Sequence, residues 1–143
     1  MISRWFTSFR IFLVWLLGFT LVLVILALGH ELIMLFIVNT LKSGTYIVRL
    51  VYVIYFMIAG LLCVAYYIFI HEVLSISARK GQLLKNSLLI IGIQVLLICL
   101  IHLGLMAYGY FPRDGLSILI ATIEGLAGAV MLFFALRKKK LST

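Results

Sequence analysis

The sequence predicts an all-α membrane protein: four transmembrane helices in an up-down antiparallel bundle, with the N-terminus and the C-terminus both cytoplasmic. Three observations predict it. First, 66% of the 143 residues are hydrophobic and only 11% are charged, whereas soluble domains carry about a quarter charged residues. Second, four apolar runs each supply the roughly 20 residues that a helix needs to cross a hydrocarbon core of about 30 Å. Third, the charge is lopsided, with 12 Lys plus Arg against 4 Asp plus Glu, and the basic residues fall between and beyond the runs. That placement fits the positive-inside rule and anionic lipid head groups, so nucleic acid is not an expected partner.

The first span runs from Ile11 to Val38, long enough to tilt or protrude. Before it, Ile2, Trp5, Phe6 and Phe9 recur at helical spacing with Arg4 and Arg10 among them. Residues 1–10 therefore read either as an interfacial amphipathic helix or as an extension of the first span. They do not read as a cleavable signal peptide, because the apolar run is too long and no small-x-small cleavage site follows it. The second span runs from Leu50 to Ile70, bounded by Arg49 and by His71-Glu72, and Glu72 to Lys80 can continue it into water. The third runs from Ser87 to Tyr110, after Arg79, Lys80 and Lys85. The turn Phe111-Pro112-Arg113-Asp114-Gly115, with Pro presetting one torsion and Gly accepting a positive one, makes an antiparallel hairpin with the fourth span, Leu116 to Leu136. Lipid forces backbone groups to satisfy one another within a segment, so these runs are helices. Together they form one domain, residues 1–143.

Orientation follows from the cations. One side collects Arg4, Arg10, Arg79, Lys80, Lys85, Arg137, Lys138, Lys139 and Lys140; the other holds Lys42, Arg49 and Arg113. That asymmetry puts both ends and the middle loop inside. Tyr46, Tyr52, Tyr108, Tyr110 and Phe111 lie near the outer ends, as interfacial aromatics do.

Ionisable residues inside a span are costly and mark candidate sites. Here they are His30, Glu31, His102 and Glu124. Counted at about 1.5 Å per residue, Glu31, His102 and Glu124 sit roughly 10 to 12 Å below the outer edge of the hydrocarbon. Three polar groups at one depth on three helices can meet in the bundle interior. Three readings stand for them: a structural knot that sets helix register, a binding or permeation site for a cation, proton or small polar solute, and a haem or metal site using His30 and His102. Three histidines cannot supply a two-haem arrangement, and no spaced Cys/His set suits zinc. Neither His30-Glu31 nor His71-Glu72 extends to HExxH, and His71-Glu72 reads as a polar cap at the membrane surface. Cys63 and Cys99 lie in apolar surroundings without CxxC spacing and read as free thiols. No phosphate loop or nucleophile elbow occurs, so the sequence predicts no enzyme and no catalytic residue.

On the fourth span Ala121, Gly125 and Ala129 recur every fourth residue, with Gly128 beside them. Small residues so spaced let helix backbones approach closely, within the chain or between chains. Gly92 and Gln94 on the third span carry the same two readings.

The stretch Leu28-Gly29-His30-Glu31-Leu32-Ile33-Met34-Leu35-Phe36 resembles the first span of the phosphate-starvation-inducible PsiE-like family of small bacterial inner-membrane proteins. That family places a glycine and an acidic residue shortly before the outer end of its first helix. The resemblance includes chain length, four spans, an aromatic second helix around Tyr52 to Phe56 and a basic C-terminus. The family's aromatic-acidic segment in the second helix is absent, since Phe56 is followed by Met57-Ile58-Ala59. The resemblance implies a multi-pass protein of the bacterial cytoplasmic membrane more than it implies a mechanism. The expected function is that of a non-catalytic accessory or regulatory subunit binding another membrane protein or further copies of itself. The alternatives are a small oligomeric transporter or channel using Glu31, His102 and Glu124, and a membrane anchor for a single b-type haem.

Overall fold

The computed structural model describes the backbone of residues 2–41 and 45–137, and the side chains of residues 8–39 and 46–137. Four helices account for nearly all of it: α1 (Ile2–Leu41), α2 (Thr45–Arg79), α3 (Leu83–Ala107) and α4 (Gly115–Leu136). All four are long and apolar enough to cross a membrane, the candidate spans being Ser8–Asn39, Tyr46–Arg79, Leu83–Ala107 and Gly115–Leu136. The single proline, Pro112, falls in a loop, so no helix loses a backbone donor to it. Among the described residues no strand occurs.

The backbone of residues 2–10 continues into α1 without a break, which realises the second of the two readings for that segment. The side chains of Arg4, Trp5 and Phe6 lie outside the described residues, as do Lys42 and Lys138, Lys139 and Lys140.

Helix ends follow local chemistry rather than hydropathy. α2 continues past Ile70 to Arg79 and stops where Gly81 takes a φ of 67°. There Gln82 N–H donates to Ser77 O (2.8 Å) and Gly81 N–H to Ala78 O (3.2 Å), satisfying carbonyls that the helix leaves free. The end of α3 repeats the device: Gly109 has φ 78°, Tyr110 N–H donates to Leu105 O (3.0 Å) and Gly109 N–H to Met106 O (3.1 Å). This closes α3 at Ala107, three residues short of the expected Tyr110.

The positive torsion expected at Gly115 is therefore found at Gly109. Gly115 instead opens α4, because the Asp114 carboxylate caps that helix by accepting from Ser117 N–H at 2.8 Å. Arg113 reaches back across the connection, donating from Nε to Met106 O (3.2 Å) and from Nη2 to Ala107 O (2.9 Å).

Side-chain pairings fix the directions. Trp15 meets Tyr67 and His30 meets Tyr52, so α1 and α2 are antiparallel. Gly18 faces Gln94 and Gly104 faces Leu32, so α1 and α3 run the same way. Gly92 faces Leu132 and Gly128 faces Leu96, so α3 and α4 are antiparallel. α3 is the hub, touching all three other helices, while α4 touches α3 alone. The bundle is consequently open, with no α1–α4 seam among the described residues.

Candidate functional site

The structure sorts the four candidate polar residues of the apolar helices into two pairs, each joining a histidine to a carboxylate. His102 Nδ1 lies 3.1 Å from Glu124 Oε2, across α3 and α4. His30 Nδ1 lies 3.4 Å from Glu31 Oε1, its neighbour on α1. Among the described residues no hydrogen bond or ion pair links one pair to the other. Helix geometry gives the reason. α3 presents Gly104 to α1, and two residues span roughly 200° of helix, so His102 is turned toward α4 instead. α1 and α4 make no close backbone approach among the described residues.

The His102–Glu124 pair is closed in. His102 is buried, and its ring has Phe111 from the α3–α4 connection 4.9 Å away. Beneath it the two helices touch through small residues. A methyl group at Gly128 would stand 2.7 Å from Leu96 Cγ and 3.1 Å from Gly92 O, and one at Gly92 would stand 3.1 Å from Met131 Cβ. Cys99 Sγ, a free thiol, donates to Ala121 O at 3.3 Å and faces Gly125. Ala121, Gly128 and Ala135 all face inward. They recur every seven residues, a step that drifts only about 20° around the helix.

Ala129, expected on the same face, is exposed. Eight residues from Ala121 it has rotated by roughly 80°, so a strict four-residue spacing walks off the contact. The small-residue face serves the interior of this chain.

The His30–Glu31 pair is built differently. The His30 imidazole stands edge-on to Tyr52 (centroids 5.1 Å, 85°) and Tyr55 (5.3 Å, 60°) and tilted to Phe56 (5.5 Å, 51°). The Tyr55 hydroxyl donates to Leu26 O and pins α2 to α1 there. Beside these rings lies a cleft of about 550 Å³, whose lining includes Ala27, Ala59, Cys63 and Glu31. The Glu31 side chain is 42% exposed, against 25% for Glu124. His30 Nε2 is buried without a hydrogen-bond partner.

A third polar junction ties three helices together. Gln94 on α3 is buried and donates from Nε2 to Gly18 O on α1 (3.0 Å) and to the Tyr66 hydroxyl on α2 (2.6 Å). Gly18 permits the approach, since a methyl group there would stand 2.8 Å from that hydroxyl. Gln94 thus works within the chain, as does Gly92.

At the basic end Arg10, Arg79, Lys80, Lys85 and Arg137 are all exposed. Arg10 lines a second cleft with Gly81 and Leu84, so the start of α1 and the α2–α3 connection share one end of the molecule. His71 and Glu72 are exposed near that end.

The two histidines offered as axial ligands for a haem face different helices, His30 toward α2 and His102 toward α4. They do not form a bis-histidine slot. Among the described residues no three His, Cys, Asp or Glu side chains converge on a point.

The sequence reading passed over the aromatic wall at His30, assigning Tyr52 to the membrane surface and giving Tyr55 no role. A signal was present: Tyr52, Tyr55, Ala59, Cys63 and Tyr66 recur at steps of three, four, four and three on α2, which places them on one helix face. Comparison with protein-family models, with curated proteins and with solved structures finds no match to this chain.

Proposed function

We propose that this chain is a non-catalytic, multi-pass protein of the bacterial cytoplasmic membrane, both ends inside, that works as a subunit beside another membrane protein. The PsiE-like stretch Leu28–Phe36 agrees with that location, and the basic residues at one end of the molecule agree with that orientation.

The observation that carries the subunit reading is the state of the two carboxylates. At the proposed depth in hydrocarbon, Glu31 keeps 42% and Glu124 25% of its side chain exposed. A carboxylate facing lipid costs several kcal/mol, on the order of 3 kcal/mol at mid-membrane. Four helices in a closed ring would cover both; here α4 leans on α3 alone, and neither carboxylate is fully covered. A neighbouring apolar helix carrying a hydrogen-bond donor removes that cost. Native mass spectrometry of the full chain, extracted gently from its own membranes, tests this. A mass that includes a second polypeptide is expected, and a lone monomer overturns the reading.

The α1–α2 cleft favours a second reading, a small oligomeric transporter or channel for a polar solute. Unchanged flux in liposomes for both Glu31→Gln and Glu124→Gln would sink it. The haem anchor draws no support from histidines that face different helices.

A further inference from the structure

We propose that the cleft between α1 and α2 binds one monovalent organic cation, an alkyl- or aryl-substituted ammonium or phosphonium, with Glu31 as its counter-charge. The inference names a ligand class for the solute-handling reading and shares Glu31 with it, but it requires binding only, not transport.

Charge comes first. The cleft is lined by Leu23, Leu26, Ala27, His30, Glu31, Tyr52, Tyr55, Phe56, Ala59, Gly60 and Cys63, which include no Lys or Arg. Glu31 is its only acidic side chain. His30 Nδ1, at 3.4 Å from Oε1, is a long contact that occupies one of the two carboxylate oxygens. The other is free for a cation.

The walls decide which cation. Among the four rings His30, Tyr52, Tyr55 and Phe56, five centroid pairs lie within 6 Å along this face. Aromatic faces attract a cation through the ring quadrupole, and the attraction grows when the site is dry. A compact inorganic ion needs a shell of oxygens, about six or more for calcium. This cleft cannot assemble one, because the Glu31 carboxylate and the Tyr52 and Tyr55 hydroxyls are the only side-chain oxygens in its lining. A substituted ammonium or phosphonium spreads its charge over alkyl or aryl groups, sheds water readily and matches such walls. The volume, about 550 Å³, falls in the range of about 300 to 1,000 Å³ typical of small-molecule sites. Lateral access suits an amphiphilic cation that reaches the site through the bilayer.

The test is equilibrium binding of radiolabelled tetraphenylphosphonium to the full-length protein in detergent, with tetraphenylborate as an anion of the same shape. Saturable binding near one cation per chain is expected. Glu31→Gln should weaken it at least tenfold, and Tyr52→Leu and Phe56→Leu about three- to tenfold each. Glu72→Gln, which removes a carboxylate at the far end of α2, should leave it within twofold. Circular dichroism of each variant establishes that it is folded, and the two aromatic variants keep the test open should Glu31→Gln fail to fold. Wild-type affinity in folded Glu31→Gln overturns the proposal. So does tetraphenylborate saturating with equal affinity, which would mean simple apolar partition. Binding without flux in liposomes would remove the transporter reading and leave this site standing. Loss of the site would leave the subunit reading to its own mass measurement.

Discussion

The α3–α4 hairpin and the α1–α2 hairpin each hold a histidine against a glutamate, yet one pair is largely covered and the other is more open. The difference lies in what the helices present to each other. α4 offers Ala121, Gly125 and Gly128, and α3 answers with Gly92, so the backbones close up and Phe111 covers the pair. α2 offers Tyr52, Tyr55 and Phe56, whose rings line a cleft together with the same kind of pair. Small residues at a helix interface convert a polar pair into structure; large rigid ones convert it into an available site.

The comparison can be broken most severely at Gly128. Gly128→Val would drive a side chain into Leu96 and toward Gly92 O, and overpacking of this kind costs about 3 kcal/mol. SDS-driven unfolding in mixed micelles should show that loss, while the same substitution at the open Gly60, which has nothing within 4 Å of an added methyl, should not.

Gly18→Ala comes next. The added methyl displaces the Tyr66 hydroxyl from Gln94 and should cost about 1 kcal/mol, the scale of an interhelical hydrogen bond in a membrane. Tyr66→Phe in the same chain removes the clash, so the double variant should lose less than the sum of the two single ones. Simple additivity would show that the hydroxyl is not what Gly18 accommodates.

The two carboxylates give the most direct contrast. Glu124→Gln weakens a partly covered contact of 3.1 Å and should cost about 1 kcal/mol. Glu31→Gln acts on a more exposed contact of 3.4 Å and should cost under about 0.5 kcal/mol. Equal losses would erase the distinction between the largely covered and the more open pair.

The smallest effect concerns Asp114. The Ser117 backbone N–H and then its hydroxyl hold the Asp114 carboxyl below the usual aspartate range. A carboxyl depressed in the folded state contributes stability that is present above its unfolded value and is lost as pH falls through its folded value. An acid titration of unfolding should show a slight decline there, absent in Asp114→Ala.

Much of this was legible in the chain. Four apolar runs, one proline outside them and basic residues at alternate turns sufficed for four helices. The sequence also showed which of the runs carry His30, Glu31, His102 and Glu124. Rotation was harder. Small errors in where a helix is taken to face, such as the four-residue stripe that carries Ala129 out to an exposed position, accumulate along the span. Helix ends escaped hydropathy as well, because Gly81, Gly109 and Asp114 act through hydrogen bonds that an apolar count does not register.

The sequence by itself therefore determined the number of helices and which polar side chains each of them carries, both of which depend on local pattern. Only the tertiary structure decided that Glu124 belongs to His102 while Glu31 stays with His30, and that α4 rests on α3 alone. The reason is physical: every one of these helices is apolar around nearly its whole circumference, so hydropathy assigns no inward face. The choice of neighbour falls instead to close fit at Gly92 and Gly128, to ring against ring at His30, and to a single glutamine that reaches two other helices.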